Sequence, residues 1–311
     1  MYKVGIYGDT GMVGSILDKF IGNHDSAEVT FRKNSKRAEG DLASCSLCFL
    51  ATKDAESMIF AREVLDAGIP VIDMSGAFRL PQDRFEKWYG IPHTEAALLE
   101  EAVYGMPAFN MEKIKGARLV ANPGCYATSV ILALKPILSC LAADQEAVVV
   151  STSGNSGARK EAEGEANDIT YSFGKNHKHV PEMYFYTSYA VDFTPIVLRS
   201  VFCGINTNIR VPLCDRFLDM EEAQVQTLLE DNIRQAYTED DLVIPVRDSS
   251  DYLWGTMDVN GTNKMLIKVR VAEGFVYICS MLDNLIKGAA GQAVENMNLM
   301  LGLPRLTGIP K

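Results

Sequence analysis

The chain has 311 residues, of which 47% are hydrophobic and 23% are charged, so its composition is that of a globular protein of about two domains. Its net charge of −10 opposes non-specific binding to nucleic acid or to an anionic membrane surface. No apolar run reaches the roughly 18 residues of a membrane span, and the chain enters a strand without a signal-peptide pattern. Seven cysteines, an odd number, favour a reducing compartment over a disulfide framework. We therefore expect a cytoplasmic protein that contacts neither nucleic acid nor membrane.

The first elements are a short apolar strand at residues 3–7, a glycine loop and a helix that runs to about residue 20. This order is typical of the start of a dinucleotide-binding domain. Gly8 would make the turn, Gly11 would admit a pyrophosphate to the backbone, and Gly14 would allow close packing of helix on strand. The spacing is GxxGxxG rather than GxGxxG, and the alternative is a purely structural turn. The predicted cofactor contacts of this loop are Gly8, Thr10, Gly11, Met12, Val13 and Gly14.

A basic segment follows the second predicted strand, residues 27–31. An NAD enzyme usually has an acidic residue there for the ribose diol, whereas this chain has Arg32-Lys33-Asn34-Ser35-Lys36-Arg37. Arg32 and Ser35 suit the 2′-phosphate of NADP. The alternative is an ordinary solvated run of charge.

A strand at 47–51, a helix at 55–67 and a strand at 70–73 continue the alternation typical of a parallel sheet covered by helices. Cys45 and Cys48 could suggest redox or zinc chemistry, but positions three apart in a strand lie on opposite faces, which favours a structural role. The loop after Asp73 leaves the carboxyl end of the sheet, where such folds bind ligands, and it carries Arg79. Arg79 is a candidate anion clamp, or else an ordinary surface arginine.

Cys125 is the candidate nucleophile. It lies in Asn122-Pro123-Gly124-Cys125-Tyr126-Ala127-Thr128, a sharp turn between an apolar strand and a largely buried helix. The unpaired backbone N–H groups at a helix N-terminus favour the reactive thiolate and could later hold an oxyanion. The alternative is a small buried hydrophobic residue.

Two further segments carry polar groups suited to chemistry. A Ser/Gly loop that closes an apolar strand could offer hydroxyls and backbone N–H groups to an anion through Ser153, Gly154, Ser156 and Gly157, unless it is only a linker. His177 and His179 are two of only four histidines. No third ligand cluster with metal spacing is visible, so an acid/base histidine is the better functional interpretation, and we expect no metal.

The second half of the chain is predicted to form long antiparallel strands at 201–211, 264–272 and 275–282, with a hairpin turn at Glu273-Gly274. An amphipathic helix at 220–237 lies between them, and a last helix covers 284–301. The predicted fold class is α/β, a Rossmann-type nucleotide-binding domain with a second α+β domain on a mainly antiparallel sheet. The domains are 1–121, completed by the C-terminal helix 284–311, and 122–283, which serves catalysis, substrate binding and oligomerisation.

With these motifs placed, the chain resembles the N-acetyl-gamma-glutamyl-phosphate reductases of arginine biosynthesis, in the shorter type of that family, with aspartate-semialdehyde dehydrogenases as more distant relatives. The likeness covers nearly the whole length. It is carried by the glycine loop, Asp73-x-Ser75-x-x-Phe78-Arg79, Tyr104-Gly105-Met106-Pro107, the cysteine motif, Ser153-Gly154-x-Ser156-Gly157, His177-x-His179-x-Pro181-Glu182, and Asp283-Asn284-Leu285-x-Lys287-Gly288-Ala289-Ala290-Gly291-Gln292-Ala293.

The resemblance implies NADPH-dependent reduction of an acyl phosphate through a thioester on Cys125, with His179 as acid/base and His177 beside it. It further implies that Arg79 and the 153–157 loop hold the acyl phosphate, that Asn284 lies near the nicotinamide, and that the protein is a homodimer or homotetramer. Aspartyl or aminoadipyl phosphate remain alternative substrates, since a pocket distinguishes one methylene by only about 1–3 kcal/mol. A nucleotide-binding redox sensor without turnover is an alternative from another class, and it does not require Cys125 and His179 to converge.

Overall fold

The computed structural model describes residues 1–157, 166–246 and 254–311. The chain divides into two compact units, one of residues 1–124 with 289–310 and one of residues 125–288 with Lys311. The predicted breaks at 121/122 and 283/284 fall slightly earlier along the chain. They differ because Asn122 is tied into the first unit, where its N–H donates to the Asp73 carbonyl (2.8 Å) and its Nδ2 donates to the Ala289 carbonyl (3.2 Å).

The first unit is built on a mostly parallel sheet. Its strands are β1 (Tyr2–Tyr7), β2 (Ala27–Lys33), β3 (Ala38–Gly40), β4 (Leu47–Leu50), β5 (Val71–Asp73), β6 (Ala102–Tyr104) and β7 (Leu119–Ala121). They lie in the order β3-β2-β1-β4-β5-β7-β6, and β3, which pairs antiparallel with β2, is the exception to the parallel pattern. The short, fully apolar β4 and β7 are buried on both faces, as central parallel strands require.

Helices cover both faces of this sheet. They are α1 (Met12–Gly22), α2 (Asp54–Asp66), α3 (Gln82–Tyr89), α4 (Ala96–Leu99), α5 (Pro107–Lys115) and the C-terminal helix (Gly291–Met300). One core cluster joins α2 and α3 to the sheet through Met58, Val64 and Phe85, and the other joins α1, α5 and the C-terminal helix. The C-terminal helix therefore belongs to the first unit, where Ala293, Val294 and Met297 are fully buried.

Two details of this unit differ from the expectations. Strand β2 runs on to Lys33, so Arg32 lies in a strand rather than in a loop; pairing with β3 extends the ladder. Cys45 precedes β4 instead of lying in it, so the argument that the two thiols lie on opposite faces was wrong. A Cβ placed on Gly5 would lie 2.6 Å from the Cys48 sulfur and 3.5 Å from the Cys45 sulfur, and both cysteines are free and buried.

The second unit is a mixed, mainly antiparallel sheet. Its elements are α6 (Cys125–Leu134), β8 (Glu146–Gly154), β9 (Asp168–Thr170), α7 (His179–Thr187), β10 (Ala190–Leu198), β11 (Ile205–Pro212), α8 (Glu222–Ala236), β12 (Val243–Pro245), β13 (Met265–Ala272) and β14 (Phe275–Leu282). The strand order is β12-β13-β14-β11-β8-β10-β9, in which β12–β13 and β8–β10 are the parallel pairs. The predicted fold class is confirmed.

Alternating burial gives this sheet two different faces. Along β8, Ala147, Val149 and Ser151 are buried, whereas Val148 and Val150 are exposed. The inner face packs under α6, whose residues from Tyr126 to Leu134 are all buried, and the Ser129 hydroxyl lies 2.9 Å from that of Thr207 on β11. On the outer face, Val148, Val150 and Tyr277 are exposed among the residues that the structure describes.

Two elements differ from their predicted bounds, and a third was not predicted. The strand expected at 201–211 begins at Ile205, because residues 201–204 bend to bind the Ser/Gly loop. The helix expected at 284–301 opens as a π-helical turn, Ile286–Ala290, before the regular helix from Gly291. Strand β10 was not predicted, since Pro195 in its middle argues against a central strand.

Candidate functional site

Cys125 is the first residue of α6 and is half-buried. The first N–H groups of a helix have no partner within the helix, so they concentrate partial positive charge next to the thiol. Gly288, in the π-helical turn, lies against the cysteine, since a Cβ there would be 2.6 Å from the Cys125 Cβ and 3.2 Å from its Cα. The absence of a side chain at 288 therefore allows the π-helical turn to pack directly against Cys125, the candidate nucleophile.

The two histidines lie at the start of α7, which packs against α6. The rings of His177 and His179 are 4.7 Å apart, and each contacts the ring of Tyr126, the residue after Cys125, at 5.3 and 5.9 Å. The structure thus brings the predicted histidines to the N-terminal end of the cysteine helix. A sensor without turnover does not require this arrangement.

The two imidazoles differ in environment. Burial, and next to it the charge of His179, lowers the pKa of His177 from 6.5 to about 2. Its Nδ1 accepts the backbone N–H of His179 at 3.1 Å, and its Nε2 lies 3.4 Å from the Tyr171 hydroxyl. His177 is therefore neutral at physiological pH and is held by hydrogen bonds on both ring nitrogens.

The Ser/Gly loop is folded onto the segment before β11. The N–H groups of Gly154, Asn155 and Ser156 donate to the carbonyls of Gly204, Val201 and Phe202 at 2.9–3.0 Å. The amides of Gly154 and Ser156, which were expected to be available to an anion, therefore already donate to carbonyls of the chain. The loop can instead present the hydroxyls of its serines to an anion. That of Ser153 is already engaged, because it accepts a hydrogen bond from Tyr126 (2.8 Å) and donates one to the Gly154 carbonyl (3.2 Å).

Asn284 connects this loop to the sheet. Its Oδ1 accepts the N–H of Gly204 at 2.7 Å, and its Nδ2 donates to the Ser156 hydroxyl at 3.0 Å. The preceding Asp283 accepts the N–H groups of Leu285 and Gly261 at 2.8 and 2.9 Å. Both ends of the Asn284 amide are thus engaged within the second unit, a role for which sequence reasoning gave no signal.

Arg79 is buried in the first unit. Its Nε donates to the Asn122 carbonyl at 2.8 Å and its Nη2 to the Met74 carbonyl at 2.9 Å. The loop that carries it begins at Asp73, whose carboxylate accepts the Ser75 hydroxyl at 2.7 Å. Burial raises the pKa of Asp73 to about 6, although hydrogen bonds from Ser75 and Ser57 act in the opposite direction. Arg79 is therefore a rigidly held cation rather than a mobile surface arginine.

The glycine loop has the backbone geometry that a dinucleotide requires. Gly8 has a φ of +82°, and a Cβ on Gly14 would lie 2.1 Å from the Gly8 carbonyl oxygen, so neither position admits a side chain. A Cβ on Gly11 would approach only the Gly8 oxygen, at 3.3 Å, and α1 begins at Met12. The loop therefore leaves room beside a helix N-terminus, where a pyrophosphate can bind.

Residues 32–37, which are expected to meet a 2′-phosphate, form a basic rim whose arginines are paired with Asp9 and Asp18. Arg32 is paired with Asp18 (2.6 Å), Arg37 is paired with Asp9 (2.7 Å), and Ser35 is exposed. Burial of Asp9 acts to raise its pKa, but hydrogen bonds from Asn34 and Arg37 hold that pKa below its usual range. Arg37, which sequence reasoning passed over, is thus a second arginine of this rim.

Within residues 1–157, 166–246 and 254–311, no group of three His, Cys, Asp or Glu side chains is arranged to hold a metal ion. In the same part of the chain, every helix is too short or too polar to cross a membrane.

Comparisons with known proteins agree with this geometry. The family model for the NAD binding domain of semialdehyde dehydrogenase matches residues 32–117, and the model for the dimerisation domain of semialdehyde dehydrogenase matches residues 125–284. Solved aspartate semialdehyde dehydrogenases share the fold. The type II enzyme of Vibrio cholerae superposes with a TM-score of 0.73 at 20% identity, covering 97% of this chain and 99% of that one. The Candida albicans enzyme, solved with NADP, gives 0.72 at 13% identity, covering 97% and 98%.

The fold and site thus define a member of the semialdehyde dehydrogenase class. Similar sequences are more specific, and they confirm the resemblance stated above. The N-acetyl-gamma-glutamyl-phosphate reductase of Nitrosospira multiformis is 35% identical, covering 99% of this chain and 98% of its own. That of Thermus thermophilus is 40% identical, covering 87% and 82%. The chain belongs to the N-acetyl-gamma-glutamyl-phosphate reductase family.

Proposed function

We propose that this protein catalyses the NADPH-dependent reductive dephosphorylation of N-acetyl-glutamyl 5-phosphate to N-acetyl-glutamate 5-semialdehyde, a step of arginine biosynthesis. The observation that carries the mechanism is that α6, which begins with Cys125, packs against α7, which begins with His179, and that the ring of Tyr126 contacts the His177 and His179 rings. A thiol at a helix N-terminus beside an imidazole is the arrangement used for covalent acyl transfer.

The first step forms a thioester. The Cys125 thiolate attacks the acyl carbon, the N–H groups of the first turn of α6 hold the tetrahedral oxyanion, and inorganic phosphate leaves with the bonding electrons. Gly288 supports this step indirectly, because it allows the π-helical turn to pack against the cysteine backbone.

The second step reduces the thioester. NADPH, held by the 8–14 loop, would supply the hydride. His179 donates a proton to the carbonyl oxygen as the hydride arrives, which gives a neutral hemithioacetal. His179 then takes the proton back as the carbon–sulfur bond breaks, releasing the aldehyde and restoring the Cys125 thiolate.

For the phosphate, we propose Arg79 and the 153–157 loop, with Ser156 rather than Ser153 as the donating hydroxyl. Ser153 already donates to the Gly154 carbonyl. Ser156 accepts from Asn284, so its own proton points elsewhere, and it reaches no acceptor in the part of the chain that the structure describes. In the reverse reaction, Ser156→Ala should raise the KM for phosphate several-fold more than Ser153→Ala does; the opposite order would contradict this assignment.

The basic rim supports NADP over NAD. Arg32, Ser35 and Arg37 lie on β2 and on the turn to β3, and charge-assisted hydrogen bonds to a 2′-phosphate contribute about 1.5–3 kcal/mol each. Replacing Arg32 and Arg37 together by Ala should lower kcat/KM for NADPH and leave that for NADH nearly unchanged. Equal efficiency of the unaltered protein with both cofactors would contradict the assignment.

The substrate is tested in the reverse direction, with NADP+, phosphate and one aldehyde at a time. We expect kcat/KM to be highest with N-acetyl-glutamate 5-semialdehyde and lower with aspartate semialdehyde and the aminoadipate homologue. Cys125→Ser should nearly abolish turnover while retaining NADP binding, because a hydroxyl is a far weaker nucleophile than a thiolate. Mass spectrometry of the protein with acyl phosphate alone should find the acyl group on Cys125. An adduct on Cys140 instead would contradict the first step.

For the assembly, we propose a homodimer, or a homotetramer built from such dimers, that associates through the outer face of the second sheet. The residues matched by the dimerisation-domain model include this sheet. We also propose a cytoplasmic location, as suits a biosynthetic enzyme with several free cysteines.

A further inference from the structure

A row of hydrogen bonds runs from His177 away from the nucleophile. The Tyr171 hydroxyl lies 3.4 Å from His177 Nε2 and donates to the Tyr126 hydroxyl at 3.3 Å. The Tyr126 hydroxyl donates to Ser153 at 2.8 Å, and Ser153 donates to the Gly154 carbonyl at 3.2 Å. All of these residues belong to the second unit.

The direction of this row is fixed at both ends. A carbonyl can only accept, so Ser153 must donate to Gly154, Tyr126 to Ser153 and Tyr171 to Tyr126. At the other end, Nδ1 of His177 accepts the His179 N–H, so a neutral His177 carries its proton on Nε2. That proton points to Tyr171, whose hydroxyl proton is already donated onward.

We infer that Tyr171 and Tyr126 are positioning residues that lock His177 as its neutral Nε2–H tautomer, and that His177 in turn anchors the backbone of His179. This inference rests on the proposed function, since it assigns the proton transfer to His179. His177 is excluded from that role because both of its nitrogens are occupied. Protonating Nδ1 would also break the hydrogen bond to His179 and place a positive charge at the N-terminus of α7.

The row of hydrogen bonds also connects the Ser/Gly loop to His179, the proposed acid/base. The row ends at Ser153 in the loop proposed to hold phosphate and begins at the residue that orients His179. Losing one hydroxyl in the middle should therefore disturb the proton transfer more than substrate binding. A tyrosine that only filled space would not produce this separation.

The tautomer is tested directly by nitrogen NMR of protein labelled in its four histidines, with His177→Gln to assign the signal. We expect His177 to remain the neutral Nε2–H form between about pH 5 and 8, the range in which an ordinary histidine titrates. An Nδ1–H form, or titration of His177 within that range, would overturn the inference.

The tyrosine is tested with Tyr171→Phe, which removes only the hydroxyl. We expect a mixed His177 tautomer and a kcat lower by roughly three- to tenfold, the equivalent of one neutral hydrogen bond, with little change in KM. Tyr126→Phe should act in the same way at the next position. The matched control is Tyr189→Phe, which loses a 2.6 Å hydrogen bond to the Ala142 carbonyl in the same unit. Among the described residues, neither a hydrogen bond nor a ring contact joins Tyr189 to His177 or His179.

If Tyr171→Phe and Tyr189→Phe share the same kcat and the same His177 signal, the inference is wrong. Failure of the proposed function would look different. The unaltered protein would then reduce no acyl phosphate, while the His177 tautomer and its dependence on Tyr171 would still be seen by NMR.

Discussion

At the scale of single residues, the proposed mechanism has Cys125 and His179 act in one covalent sequence. Each is the first residue of its helix, and the ring of Tyr126, the residue after Cys125, lies 5.3 Å from that of His177 and 5.9 Å from that of His179. His179→Asn keeps a polar side chain of similar size but cannot exchange a proton near neutral pH. We expect kcat to fall by about 10²–10⁴-fold, with a smaller change in KM, as measured in steady-state assays.

The double variant gives a second check on this pair. If both groups act on the same intermediates, Cys125→Ser with His179→Asn should be scarcely slower than Cys125→Ser alone. Fully multiplicative losses would show that the two residues act in separate steps.

Gly288 lies so close to Cys125 that a side chain there should disturb the candidate nucleophile. Gly288→Ala would put a methyl group 2.6 Å from the Cys125 Cβ, a separation that forces the π-helical turn or the cysteine to move. A displacement of about 1 Å can cost on the order of 100-fold in rate, so we expect a large loss of kcat/KM with NADP binding retained.

The matched control is Gly116→Ala, since a Cβ there meets nothing within 4 Å and the backbone φ is −101°. Normal labelling of Cys125 by acyl phosphate in Gly288→Ala would count against this account.

At the scale of elements, local sequence predicted the strands and helices whose burial follows one period. The glycine loop, the alternation along β13 and the apolar face of α8 each have a clear pattern, and all three elements form. Strand β10 was missed because Pro195 stands in the middle of it. The partners of Asn284 and the row from His177 to Ser153 join residues far apart in sequence, so no local pattern could reveal them.

The start of α7 also carries a prediction about pH. Burial lowers the pKa of His177 from 6.5 to about 2, so below pH 6.5 the unfolded chain takes up a proton that the folded chain does not. The contribution of this group to stability is therefore complete above pH 6.5 and falls as the pH falls toward 2, with a limiting slope of about 1.4 kcal/mol per pH unit.

Urea unfolding at a series of pH values should show the midpoint falling below pH 6.5. In His177→Gln this fall should be shallower. An unchanged slope in the variant would show that other groups cause the acid sensitivity.

At the scale of the whole molecule, the second sheet exposes apolar side chains on its outer face. Its inner face is buried under helices, whereas Val148, Val150 and Tyr277 on the outer face are 46%, 38% and 39% exposed. Asn206, Arg210 and Lys268 surround them on neighbouring strands. An exposed apolar patch with a polar rim is typical of a protein interface, and a wide sheet face can pair with a second copy of itself.

This face predicts the behaviour of the assembly in solution. Val148→Glu with Val150→Glu places two carboxylates in the middle of the patch, so association should bring like charges together and weaken by several kcal/mol. Light scattering after gel filtration should show a dimer or tetramer for the unaltered protein and smaller species for the variant. Ile59→Glu, on the exposed surface of α2 in the first unit, is the control and should leave the mass unchanged. If the Val148 and Val150 variant keeps the native mass while Ile59→Glu dissociates, the interface lies on the first unit and not on this sheet.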